Sequence, residues 1–157
     1  MTRASAIDIQ DLTVRFADDS GWRTAVRSLS LQVREGEVVG LIGESGSGKS
    51  VTSSSLLWLL PLGDRCRLTA ERLDVLGLNV LDATEREMRN LRGAQAAMVF
   101  QEPMTALNPV RTIGDQIAEG IFWHMRVSRA VAAERARTLL DRVGLTRARV
   151  TGERYPH

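Results

Sequence analysis

Apolar and polar residues alternate from the start of the chain. Ile7 and Ile9, then Leu12, Val14 and Phe16, are separated by polar positions, and the phase slips once at Gln10 and Asp11. Period-two alternation predicts a strand with one buried face, and a single slip predicts a bulge or a strand-turn-strand. Asp18-Asp19-Ser20-Gly21 is a turn cluster. Alternation resumes from Ala25 to Val33 before Glu35-Gly36 turns the chain, so a hairpin is expected. Glu37-Val38-Val39-Gly40-Leu41-Ile42 is nearly all apolar, the pattern of a parallel strand buried on both faces, and it runs directly into Gly43. Val51 to Leu60 contain neither Gly nor Pro before Pro61, which predicts a helix of about three turns.

Further along, Leu68, Leu73, Val75, Leu76, Leu78 and Val80 alternate weakly, as strands with one wet face would. Thr84-Glu85-Arg86-Glu87 is a capping box that starts a short helix with Met88 and Leu91 inward, ended by Gly93. Ala96-Ala97-Met98-Val99-Phe100 predicts a second buried strand. Residues 101–110 form a loop marked by Pro103 and Pro109, and Thr112 offers a cap for a helix carrying Ile117, Ile121 and Met125. Ser128 caps a further helix in which Ala132, Ala136, Leu139, Leu140 and Val143 share a face and Gly144 closes the end. The order is β-rich, then strand-loop-helix, then all helical. An α/β fold in two parts follows, with residues 1–103 as a core carrying an antiparallel β subdomain and 104–157 as a helical subdomain.

Composition narrows the function classes. At 157 residues, 43% hydrophobic and 25% charged, the chain matches a soluble globular domain rather than a disordered one. The longest apolar run, Leu56 to Leu60, falls far short of the roughly 20 residues that cross a bilayer. The N-terminus lacks the apolar stretch of a secretory signal, so a cytosolic location is expected. Cys66 is the one cysteine, which leaves no internal disulfide and no partner at zinc-ligand spacing; a buried or idle thiol is expected. Net charge is +2, the arginines are scattered among acids, and aromatics make up only 4%, so no nucleic-acid surface is expected. Trp58, Phe122 and Trp123 lie on helical faces as core or partner surface, and His124 reads as a surface or interface histidine.

One residue stands apart. Of the 21 Lys and Arg residues only Lys49 is lysine, and it lies in Gly43-Glu44-Ser45-Gly46-Ser47-Gly48-Lys49-Ser50. A compact ammonium on a flexible stem follows a moving phosphate, whereas the planar guanidinium suits fixed bidentate contacts. The string matches G-x-x-x-x-G-K-[ST], in which glycines let backbone N–H groups turn toward phosphate oxygens and the next helix adds its N-terminal dipole. Gly43 through Val51 are therefore the candidate nucleotide-binding residues. Lys49 would reach the β- and γ-phosphates, and the Ser50 hydroxyl would ligate Mg²⁺. The alternative is a glycine-rich turn with an exposed lysine. Gln101 alone reads as an exposed loop residue. Its place after a buried strand puts it on the edge of the sheet where ligands of open α/β folds sit, and an amide oxygen there can ligate Mg²⁺ or position water.

The phosphate-loop string together with Val99-Phe100-Gln101-Glu102-Pro103-Met104-Thr105-Ala106-Leu107-Asn108-Pro109 resembles the ATP-binding subunit of ABC transporters. The second string is similar to the oligopeptide, dipeptide and nickel importer branch, and the resemblance runs from the first strand to Tyr155-Pro156-His157. It implies an ATP hydrolase with ATP and Mg²⁺ as ligands, in which Lys49 and Gln101 are catalytic. Gln101 corresponds to the glutamine that touches Mg²⁺ and the attacking water and senses the membrane partner. It also implies transmembrane permease subunits, a second ATP-binding subunit and, indirectly, an external solute-binding protein as partners, with the protein peripheral on the cytoplasmic membrane face. Phe16 falls where the family places an aromatic that stacks on adenine. Its alternation also suits a core residue, and Trp22 is a possible substitute.

The family pattern continues with a Leu-Ser-Gly-Gly signature, a hydrophobic strand ending in Asp, a catalytic Glu and a switch His, none of which lies in residues 1–157. Signature N–H groups and the Glu act on the γ-phosphate and the attacking water, so residues 1–157 alone are expected to bind ATP but hydrolyse it poorly. Lack of the Asp strand is expected to uncover apolar surface beside the phosphate-loop strand. Two other readings stay open: a non-catalytic fragment that only binds nucleotide or a partner, and a soluble ABC-type ATPase of DNA repair or translation.

Overall fold

The structure is a computed structural model and describes residues 4–100, 107–145 and 154–156. Two compact units divide the chain, Met1–Arg92 and Gly93–His157.

The first unit is built around one strand. β1 (Ser5–Asp18) and β2 (Gly21–Arg34) form the antiparallel hairpin that the alternation predicts. The turn is fastened by the Asp18 carboxylate, which accepts from the Ser20 amide at 2.8 Å and the Ser20 hydroxyl at 2.6 Å. On its other edge β1 pairs with β3 (Cys66–Thr69) through Thr13 to Phe16 and with β4 (Arg72–Val75) through Ile7 to Gln10, and β4 pairs with β5 (Leu78–Asn79). Every pairing among the described strands is antiparallel, and the weak alternation of residues 67–81 is a set of short strands. Asp8 sits directly opposite Asp74, a like-charge pair that Arg72 relieves with Nη1 3.1 Å from Asp8 and Nε 3.9 Å from Asp74.

The phase slip has a structural cause. Ile9 pairs with Leu31 and Leu12 with Leu29, so two residues of β1 oppose one of β2. Asp11 takes the extra position at φ +53°, and its amide bonds the Ser30 hydroxyl at 3.1 Å. Without the bulge, Leu12 would face away from Ile9, because side chains alternate strictly along a strand. A second irregularity at Ser28 (φ +47°), whose amide bonds the Thr13 hydroxyl at 3.0 Å, keeps Val14 opposite Val26. Ile9, Leu12, Val14 and Val26 thus share one buried face with Cys66, Leu73 and Val75. Cys66 is buried, one of the two expectations for it, and burial pushes its thiol above the usual range.

Helix α1 (Lys49–Leu56) rests against β2 and β4. It is shorter than the Val51–Leu60 helix expected from the lack of breakers. Thr52, Ser53 and Ser55 turn their hydroxyls onto carbonyls four residues back, at 3.0, 3.3 and 2.8 Å, which weakens a helix, and Trp58 adopts a left-handed φ of +53°. Helix α2 (Glu85–Leu91) carries the predicted capping box: Thr84 accepts from the Glu87 amide and Glu87 reaches back to the Thr84 amide at 2.8 Å. The Thr84 hydroxyl and amide hold the Glu87 carboxyl below its ordinary pKa. Met88 and Leu91 are buried as expected.

Two expected strands are absent. Residues 37–44 form no strand, and Val38 and Ile42 are 98% and 96% exposed. Ala97 to Phe100 likewise lie outside any strand, with Val99 95% exposed. A parallel strand takes its hydrogen bonds from neighbours on either side, and none of the described strands pairs with either segment. Their apolar residues are those of core strands without neighbours.

In the second unit α3 (Ile113–Met125) and α4 (Arg129–Arg142) pack together. Thr112 and Ser128 cap them as predicted, accepting from the Asp115 and Val131 amides at 3.1 and 3.3 Å. Ala132, Ala136 and Leu140 are buried, whereas Leu139 and Val143 face outward; the inward stripe follows a four-residue step and is narrower than expected. The Gln116 side chain ties down the preceding loop, donating to Asn108 O at 3.0 Å and accepting from the Asn108 amide at 2.8 Å.

Deleting Asp11 removes the bulge and turns one half of β1 outward, so the deletion variant is expected to lose cooperative thermal unfolding. Asp11→Gly, which keeps the extra residue at positive φ, is expected to retain it; circular dichroism melts compare the two.

Candidate functional site

The loop between Ile42 and α1 is shaped by its glycines. Gly46 and Gly48 sit at φ +80° and +92°, where a side chain is strained. Gly48 also makes the loop's close approach: a Cβ there would lie 2.5 Å from the Ala25 carbonyl oxygen and 3.0 Å from Val26 Cγ2. A Cβ on Gly43 would lie 2.6 Å from Ser47 Oγ, so the two ends of the loop close on one another. The Ser47 amide bonds Glu44 O at 3.2 Å and completes the turn.

Lys49 opens α1 and folds back over this loop. Its Nζ donates to Gly43 O at 2.7 Å, Glu44 O at 2.6 Å and Ser47 Oγ at 3.1 Å, a set of acceptors that matches the three donors of an ammonium. The helix N-terminus beneath it has Gly48 as N-cap, no side-chain cap bond and no acidic residue in its first turn. First-turn N–H groups have no acceptor within their own helix, so this end suits an anion. Ser45 and Ser50 are exposed and Val51 is half-buried.

For a divalent cation the fit is narrower. Ser50 offers one exposed hydroxyl, and among the described residues no group of three or more His, Cys, Asp or Glu could hold a metal. A cation beside Ser50 would take its remaining oxygens from phosphate and water, the habit of Mg²⁺. Gln101, the other expected ligand and catalytic residue, lies outside the described residues. His124 is exposed, and its imidazole rests where a Cβ on Gly93 would intrude, with Nε2 2.5 Å from that point.

Register separates the two aromatic candidates. Phe16 pairs with buried Cys66 and lies two residues from buried Val14, so it shares the inner face, where Val26 meets Gly48. Half-buried Phe16 lies two strand residues, about 7 Å, along β1 from Val14, the partner of the Val26 that meets Gly48. Trp22 pairs with Ala17 and therefore faces the other way, with the Arg67 guanidinium 4.2 Å over its ring.

Comparison with known proteins identifies the architecture: the family described as ABC transporter matches residues 26–155. The chain belongs to the ABC transporter family. It is 45% identical over 150 residues to the probable D,D-dipeptide transport ATP-binding protein DdpD of Escherichia coli (strain K12), covering 96% of this chain and 45% of that protein. It is 42% identical over 151 residues to the dipeptide transport ATP-binding protein DppD of the same strain, covering 96% and 46%. It is 42% identical over 159 residues to the glutathione import ATP-binding protein GsiA of Shigella dysenteriae serotype 1 (strain Sd197), covering 98% and 25%. This ABC chain thus spans less than half the length of each of these three relatives. In fold it is similar to the ATP-binding cassette MJ0796, whose structure is described as a dimeric post-hydrolysis state bound to ADP and Pi. The TM-score is 0.76 at 20% identity, covering 96% of this chain and 63% of that one.

Two features of the ABC chain's loop and helix escape the motif: the seat of Gly48 on Ala25 and Val26, and the hydrogen bonds that the Arg92 guanidinium donates to Leu57 O and Trp58 O at the end of α1. Both are contacts between residues far apart in sequence, and only the glycine at 48 hints at the first.

Gly48→Ala places a Cβ against a backbone oxygen at a left-handed φ and is expected to destabilise the protein by about 1–3 kcal/mol. Gly46→Ala meets nothing within 4 Å and carries only the backbone strain, so it is expected to cost about 1 kcal/mol. Urea unfolding of the two variants measures the difference.

Proposed function

We propose that the protein is the ATP-binding component of an ABC importer, in which ATP binding and hydrolysis drive uptake of peptides or similar small solutes. The observation that carries this reading is the loop itself, with Lys49 drawn over three loop oxygens above an uncapped helix N-terminus. The relatives support the importer branch, since their names describe dipeptide transport and glutathione import.

Each part of the loop has a task. Gly43, Glu44, Ser45, Gly46, Ser47 and Gly48 supply backbone around the β-phosphate, and the first-turn amides of Lys49, Ser50 and Val51 add the positive end of α1. Lys49 leaves its loop acceptors for the β- and γ-phosphates, exchanging three neutral oxygens for anionic ones, which are the stronger acceptors. Ser50 would hold Mg²⁺, with Gln101 as a second protein ligand, and the bound cation would supply charge neutralisation at the phosphate oxygens. Phe16 stacks on the adenine. Gln101 positions the attacking water and reports nucleotide state to the membrane partner. The partners are transmembrane permease subunits, a second ATP-binding subunit and, through the permease, an external solute-binding protein. No described helix is long and apolar enough to cross a membrane, which suits a subunit docked on the cytoplasmic face.

Titration with a fluorescent ATP analogue tests the reading. Lys49→Ala is expected to weaken binding at least about 100-fold, the cost of two charge-assisted hydrogen bonds. Equal affinity in wild type and Lys49→Ala defeats the phosphate-loop role. Phe16→Ala is expected to weaken ATP about tenfold while leaving inorganic triphosphate unaffected, because base stacking is worth about 1–3 kcal/mol.

A further inference from the structure

Helix α1 is a poor helix by its own resources. Eight residues are too few to hold a helix in water, and its buried side chains are Thr52 and Ser55, which contribute little apolar burial. It is held from outside, at both ends. Gly48 rests on the β2 backbone at the start. At the far end stands Arg92, half-buried, the residue that follows α2 and the last of the first unit.

The Arg92 guanidinium grips the place where α1 stops. Nε donates to Leu57 O at 2.7 Å and Nη2 to Trp58 O at 3.2 Å, while Nη1 meets Glu85 Oε1 at 3.1 Å. Leu57 is the C-cap of α1, its amide bonded to Ser55 O, and Trp58 is the left-handed residue that ends the helical path. Terminal carbonyls of a helix lack partners in the helix, and a cation there also complements the negative end of the dipole. The fork of a guanidinium spans two adjacent carbonyls at once, which an ammonium on a single stem does not.

We propose that Arg92 is a positioning residue for the phosphate site: by clamping the C-terminal carbonyls of α1 it fixes the helix whose first turn carries Lys49 and Ser50. This rests on the reading of the loop as a nucleotide site. Without the clamp α1 is free to fray and tilt about the Gly48 contact, and the N–H groups, ammonium and hydroxyl at its other end lose their fixed relation to the loop. Glu85 serves only to orient the guanidinium from the solvent side, so its loss leaves the two carbonyl bonds in place.

Two measurements on the protein test the clamp. Amide hydrogen exchange without nucleotide reads α1 directly: Arg92→Ala is expected to speed exchange at the Trp58 and Leu59 amides, which bond Ser55 O and Ser54 O, while Glu85→Gln leaves them near wild type. Titration with ATP and Mg²⁺, at a temperature where circular dichroism shows each variant folded, reads the site. Arg92→Ala is expected to weaken ATP about tenfold, Arg92→Lys to recover only part of the loss, and millimolar guanidinium ion to restore Arg92→Ala but not Lys49→Ala. Unchanged exchange, unchanged affinity in folded Arg92→Ala, or a loss that guanidinium leaves uncorrected overturns the proposal. Failure of the wild type to bind ATP better than Lys49→Ala instead defeats the nucleotide reading, and the exchange result still judges the clamp.

Discussion

A Cβ on Gly48 would lie 2.5 Å from the carbonyl oxygen of Ala25, so the helix that carries Lys49 and Ser50 can seat on β2 only through a bare backbone. Much of the first unit serves that contact. β2 presents Ala25 and Val26 there because Val26 is registered against Val14, and Val14 faces inward because bulges at Asp11 and Ser28 correct the phase of the hairpin twice. A sheet of uniform alternation would bury either Ile9 or Leu12 but not both.

The loop holds itself together in the same region. Lys49 is partnered by two carbonyls and a hydroxyl of its own loop, so the ammonium is kept against the loop. Neutral oxygens hold a cation loosely enough for phosphate to displace them, since ionised acceptors bind roughly twice as strongly. With Gly48 seated on β2 at one end of α1 and Arg92 donating to the Leu57 and Trp58 carbonyls at the other, a short and polar helix acquires a definite position. The ABC family fold sets the place of the loop; these contacts set its shape.

Local chemistry was legible in the chain. The caps at Thr84, Thr112 and Ser128 depend on residues three positions apart, and each formed as the spacing predicts. The slip at Gln10 and Asp11 was legible too, because a phase error leaves a mark in any alternating pattern. Features that depend on distant partners were not. Residues 37–42 and 97–100 have the composition of buried strands, but composition cannot supply the neighbours whose hydrogen bonds make a strand. The end of α1 is not legible because it is set by a left-handed Trp58 and by a guanidinium 35 residues away that leaves no mark in the local sequence, not by Gly or Pro. Of the candidate site, the glycine loop that leads into α1 is legible as a motif, and register separates Phe16 from Trp22 by face alone. Gln101 lies outside the described residues.

The most direct measurement is a crystal structure of the protein with Mg²⁺ and a non-hydrolysable ATP analogue. It is predicted to show phosphate oxygens on the loop and first-turn amides, Lys49 Nζ moved from Gly43 O and Glu44 O to the β- and γ-phosphates, and Mg²⁺ on Ser50. A nucleotide bound elsewhere, or a loop in which Lys49 keeps its present partners with the analogue in place, would contradict the assignment of this loop as the ATP site.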